Sequence, residues 1–117
     1  MTRSDLDRLR DARDFARYAQ DDAGGLDADA LARAGQPLRA ALYDLAIIGE
    51  TLNKVSGEIK SAAPDLPWRP LADLRNFIVH AYWQVDLEIV AEVIKNRLDA
   101  IIVELDLLIG FVARSEK

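Results

Sequence analysis

Leu87, Val90, Ile94, Leu98, Ile101, Leu105 and Leu108 recur at intervals of three or four residues. A helix of 3.6 residues per turn gathers such a series onto one face, whereas a strand would scatter it over two. Leu42, Leu45, Ile48, Leu52, Val55 and Ile59 form a second stripe, and Leu6, Leu9, Ala12, Phe15 or Ala16, and Ala19 a third. Stripes of this kind must be buried against one another, and 117 residues suffice for one core but not two. The expected fold is all-α, an up-and-down helical bundle forming a single domain over residues 1–117.

The first helix is predicted from Asp5 to about Ala19, broken by Asp21-Asp22-Ala23-Gly24-Gly25. A short helix over Ala28 to Ala34 precedes Gly35-Gln36-Pro37, whose proline suits the first turn of the next helix. That helix runs as one unit from Leu38 to about Ala62. Gly49 and Gly57 within it each cost about 1 kcal/mol relative to alanine. Close approach of another helix would compensate, and ordinary tolerance is the alternative. The prolines of Pro64-Asp65-Leu66-Pro67-Trp68-Arg69-Pro70 make a rigid connector. A further helix is predicted from near Leu71 to near Gln84-Val85, with Asp86 capping the last helix, which extends to about Val112. There is no internal repeat or low-complexity segment.

The absence of cysteine excludes a disulfide framework and a thiolate nucleophile, and one histidine among dispersed carboxylates provides no metal-ligand spacing. Met1-Thr2-Arg3-Ser4-Asp5 lacks the apolar core of a signal peptide, and Glu104 and Asp106 interrupt the most apolar late segment. The expectation is a cytoplasmic protein without a membrane span. A net charge of −5 argues against a broad basic face gripping long nucleic acid, so any such contact must be local.

Chemistry concentrates in Arg75-Asn76-Phe77-Ile78-Val79-His80-Ala81-Tyr82, which holds the only histidine. At 100° per residue, Leu74, Phe77, Ile78 and Ala81 share one face, the expected attachment to the bundle. The opposite face carries Val79 and Trp83, flanked by Arg75 and Tyr82 on one side and by Asn76 and His80 on the other. A helix apolar on both faces is usually buried on both, and a second copy of the chain is the simplest partner for Val79 and Trp83. More ordinary roles stand beside these. A lone histidine can be structural, arginine followed by asparagine can cap or salt-bridge, and Tyr82 and Trp83 can be core aromatics. Glu50 lies off its leucine stripe and is expected to be solvated.

Read together, Arg75-x-x-x-x-His80-x-Tyr82, Ile47-Ile48-Gly49-Glu50, Pro67-Trp68-Arg69, Arg75-Asn76, Val85-Asp86-Leu87 and Ile89-Val90 resemble the HEPN superfamily, specifically its HepT-like toxin branch. The resemblance is strongest over residues 38–108. It implies a bundle that dimerises through the motif helix and acts, without cofactor or metal, as an endoribonuclease on transfer or messenger RNA. It also implies a minimal nucleotidyltransferase antitoxin that neutralises the toxin by transferring AMP to Tyr82. The residues suit that chemistry. The RNA 2′-hydroxyl must lose its proton as it attacks phosphorus, and the 5′-oxygen must leave. His80 can take one of those roles, Arg75 can neutralise the phosphoryl oxygens, Asn76 can orient, and Tyr82 can contact substrate. From a different class, the alternative is a non-catalytic HEPN module that binds a nucleotide or a protein partner through the same cleft.

Overall fold

The computed structural model describes residues 3–116. Met1 and Thr2, part of the stretch read for a leader, and Lys117 of the polar tail lie outside them. The described residues form helices throughout: α1 Asp5–Ala23, α2 Ala28–Arg33, α3 Gln36–Asn53, α4 Gly57–Ala62, α5 Trp68–His80, α6 Leu87–Glu92 and α7 Leu98–Ser115. A 3₁₀ turn at Tyr82–Gln84 follows α5, and a π-helical turn at Val93–Arg97 joins α6 to α7. The all-α, up-and-down bundle expected from the stripes is present. It is laid out as α5 on α3, α3 on α1, and α1 on α7.

Local chemistry sets most boundaries. Ser4 and Asp7 close a reciprocal capping box on α1, which outlasts its expected end at Ala19 and stops where Gly24 turns left-handed at φ 59°. Pro37 occupies the first turn of α3 as expected. Asp86 caps α6 by accepting from Glu88 N at 2.9 Å. The last stripe stays buried across the π turn. Val90, Ile94 and Leu98 follow at successive intervals of four. Each such step overshoots a full turn by about 40° in a regular helix, and a locally wider turn absorbs the drift.

Two of the expected helices differ further from their predicted extent. The helix predicted from Leu38 to Ala62 breaks after Asn53, and Ser56 caps a separate α4 by accepting from Ile59 N. Side chains of α1 satisfy the backbone at the break. Arg8 Nη1 donates to Lys54 O at 3.2 Å, and Ser56 N donates to Asp5 Oδ1 at 3.2 Å. Gly57 is thus the first residue of α4, not a mid-helix packing point, and a Cβ there would meet nothing within 4 Å. The motif helix also starts earlier and ends earlier than expected. Trp68 opens α5, and Pro70 sits in its first turn, where no intrahelical N–H is needed.

Between α1 and α3 lies a buried carboxyl. Asp44 is 4% exposed and its Oδ2 has no partner among the described residues. Burial, and then the neighbouring Asp22 carboxyl, push the Asp44 pKa up to about 7. The folded chain therefore holds a proton that the unfolded chain releases near pH 3.8, so stability falls as pH rises from about 4 to about 7 and stays lower above that. Asp44→Asn should remove this slope and raise stability at pH 8 by roughly 2 kcal/mol. Urea denaturation at pH 5 and pH 8 measures it, and a variant no more stable than the parent at pH 8 would show that ionised Asp44 costs nothing.

Candidate functional site

The motif arginine is where α5 meets α3. Leu71 is buried, Leu74 and Ile78 are partly so, and Arg75 completes their i, i+3, i+4, i+7 face. Phe77, expected on the attachment face, is instead 51% exposed. Gly49 is the reason. A Cβ at that position would stand 2.5 Å from both Arg75 Cβ and Leu71 O, so the bare glycine admits the arginine stem against α3. The expected compensation by close approach of a helix therefore holds at Gly49. Arg75 lays its methylenes along the contact and keeps its guanidinium at the edge.

That guanidinium is held on two sides. Arg75 Nη2 lies 2.7 Å from Glu50 Oε2, and Arg75 Nη1 donates to Asn76 Oδ1 at 3.1 Å. Lys54 Nζ contacts the other oxygen of Glu50 at 3.0 Å. The hydrogen bond from Lys54, then the charge of Arg75, hold the Glu50 carboxyl below the usual range. Glu50 is thus half-buried and ion-paired, not a freely solvated carboxylate, and it was not among the expected site residues. The signal available in the sequence was an acid directly after a packing glycine and four residues before a lysine. Arg75 Nε is buried without a partner among the described residues, the kind of unsatisfied donor that functional sites tolerate.

A polar cleft of about 450 Å³ opens over this pair, lined by Gly49, Glu50, Asn53, Arg69, Ala72, Asp73, Arg75 and Asn76. His80 is exposed and is the last residue of α5, one turn beyond Asn76 on the same side and about 6 Å further along the axis. Tyr82 stands past the helix end in the 3₁₀ turn, so the seven-residue register expected to set it beside Arg75 does not reach it. It is 70% exposed, and its ring meets that of Trp83 edge-on at 5.5 Å between centroids. Neither aromatic belongs to the core. Val79 is exposed as well.

A larger cavity, about 860 Å³, lies between α5 and the α6–α7 run, walled by Leu66, Leu71, Leu74, Ile89, Val93 and Ile101 and rimmed by acids. It contains neither Arg75 nor His80, and its apolar walls suit packing more than catalysis. No group of three or more His, Cys, Asp or Glu among the described residues is arranged to hold a metal ion. No described helix is long and apolar enough to cross a membrane.

The fold defines an all-helical bundle whose edge helix bears an arginine at a polar cleft and, five residues on, an exposed histidine. The Ribonuclease HepT-like family model matches residues 6–108, and the chain belongs to that family. It is 31% identical over 62 residues to the "Probable ribonuclease HepT" of Thermococcus cleftensis, covering 53% of this chain and 56% of that protein. A candidate RNase of Methanocaldococcus jannaschii is 32% identical over 70 residues, covering 60% of this chain and 58% of its own length. A third, from Caldanaerobacter subterraneus, is 30% identical over 60 residues, covering 51% and 54%. The chain thus spans little more than half the length of these relatives. No solved structure matches it.

Proposed function

We propose that this protein is a metal-independent endoribonuclease, the toxin of a toxin–antitoxin pair acting on transfer or messenger RNA in the cytoplasm. The observation that carries the reading is the family match over residues 6–108 together with Arg75 anchored at the edge of an open cleft and His80 exposed one turn beyond Asn76. RNA cleavage without metal needs a proton acceptor for the 2′-hydroxyl, a donor for the departing 5′-oxygen and charge neutralisation at phosphorus. His80 supplies a proton-transfer group, Arg75 the positive charge, and Asn76 orients the guanidinium it already accepts from. Purified protein incubated with total RNA in excess EDTA should cut it. Intact RNA under those conditions would leave a binding module as the better reading.

A homodimer joined through α5 completes the proposal. Phe77 and Val79 on α5, with Tyr82 and Trp83 in the turn that follows it, present large apolar surface at the edge of the bundle, and such surface is usually covered. A two-fold axis there would set two copies of Arg75 and His80 around one cleft. Trp83, 69% exposed, is the sensitive position. Trp83→Asp should shift the protein to monomer by placing a charge in a dry contact. Light scattering at micromolar concentration measures this, and a wild-type monomer would refute the dimer.

Control falls to Tyr82 and a minimal nucleotidyltransferase antitoxin. The Tyr82 phenolic oxygen attacks the α-phosphorus of ATP, an O–P bond forms, pyrophosphate leaves and the phenol proton is lost. The added AMP brings a negative charge and bulk to the end of α5, opposing an approaching RNA phosphate. Tyr18 and Tyr43 are also exposed, so exposure alone does not select Tyr82, and they serve as controls. With ATP, magnesium and the cognate transferase, AMP-sized mass should appear on the Tyr82 peptide alone, and Tyr82→Phe should accept none. Mass confined to Tyr18 or Tyr43 would remove this mechanism and leave the ribonuclease reading intact.

A further inference from the structure

The cleft over Gly49 has the wrong charge for a phosphate. Its lining carries Arg69 and Arg75 against Glu50 and Asp73, so its formal charges cancel. Arg75 and Lys54 already occupy the Glu50 carboxylate. What remains is a mixture of donors and acceptors. Asn53 lines the cleft while its backbone carbonyl is held separately by Lys60 Nζ at 2.9 Å. The Asn76 Oδ1 accepts from Arg75, which turns its amide NH₂ to other partners. Asp73 offers carboxylate oxygens, and its contact with Arg69 Nε is loose at 3.5 Å.

A phosphate presents acceptors only, and a site built for it would be lined by donors and cations. A nucleobase edge presents donors and acceptors side by side and is neutral, which is what Asn and Asp side chains read. The Arg69 side chain, 89% exposed at the mouth, provides a flat guanidinium on which an unpaired base can stack. At about 450 Å³ the cleft is of small-ligand size. Its floor is the Gly49–Arg75 contact, so whatever fills it lies next to the arginine that meets the scissile phosphate.

We propose that this cleft is a nucleobase subsite: it receives the base of the nucleotide adjoining the scissile bond, reads its edge with Asn53 and Asp73, and stacks it under Arg69. The inference rests on the ribonuclease reading. It makes the enzyme selective at one position beside the cut and confines it to single-stranded or unstacked RNA, because the base must leave a helix to enter.

The test uses the full-length protein and a pool of single-stranded oligoribonucleotides randomised around a central segment, with cut positions read by sequencing. Wild type should favour one or two bases at a single position flanking the cut. Asn53→Ala and Asp73→Ala should each flatten that preference by about tenfold, the discrimination a good base-edge contact provides. Both residues are exposed, so thermal midpoints should not move. Asn53→Asp, which exchanges an amide donor for an acceptor, should redirect the preference to a different base, a change that loss of packing cannot produce. Cleavage without base preference, or variants that keep the wild-type profile, would overturn the subsite while leaving the ribonuclease in place. A wild-type protein that cuts no RNA would overturn both, and the absence of any product distinguishes that result.

Discussion

His80→Ala is expected to abolish RNA cleavage while leaving the thermal midpoint where it was. The imidazole is exposed at the last turn of α5 and fills no part of the core, so its removal leaves packing unchanged. A positioned proton-transfer group contributes roughly 10²–10⁴-fold to rate, and the loss should fall in that range. Arg75→Ala should behave differently. Its stem packs over Gly49 and its charge is paired with Glu50, so this variant loses both activity and roughly 1–2 kcal/mol of stability. The two profiles separate a residue that acts only in chemistry from one that also builds the site. A labelled RNA in EDTA, together with a thermal melt, measures both. If His80→Ala still cuts at near the wild-type rate, His80 is not the proton-transfer group.

The second large effect is predicted where no functional group stands. Gly49→Ala should destabilise the protein by about 1–3 kcal/mol, because overpacking forces backbones apart. The methyl would arrive 2.5 Å from a backbone oxygen, Leu71 O, and from Arg75 Cβ, neither of which can swing aside as a flexible side-chain tip would. Alanine gains about 1 kcal/mol of helix propensity over glycine, so the sign of the result depends on that clash. Gly57→Ala is the control, since nothing lies within 4 Å of its added Cβ, and it should be neutral or stabilising. A displacement of about 1 Å at Arg75 is enough to lose on the order of 10²-fold in rate. Gly49→Ala should therefore lose activity even where it remains folded. A Gly49→Ala protein as stable and active as its parent would show that α5 can shift on α3 without consequence.

Much of the bundle was legible because apolar periodicity and capping chemistry are local. The stripe from Leu45 through Leu52 and the one from Val90 to Leu108 are buried as their spacing requires, and Pro37 and Asp86 stand where a helix start needs them. The break after Asn53 was not legible. Val55 and Ile59 continue the three- and four-residue rhythm, while the groups that satisfy the broken backbone, Asp5 and Arg8, lie about fifty residues earlier. The helical wheel of α5 misplaced Phe77 for a related reason. Hydrophobicity alone ranks phenylalanine above arginine for burial, and only the neighbouring glycine on α3 reverses that order.

The sequence by itself determined that the chain is helical, where most helices start, and which short segment carries the arginine and the histidine. Each of these follows from spacing and residue type within a few turns of chain. The tertiary structure alone decided that Glu50 and Lys54 belong to the site, that α5 ends at His80 and releases Tyr82 and Trp83 into a separate turn, and that a neutral cleft opens beside Arg75. The place of Glu50 and Lys54 and the cleft beside Arg75 depend on how closely α3 and α5 approach. That distance is set by one absent methyl group at Gly49, whose effect appears only when the partner helix is in place.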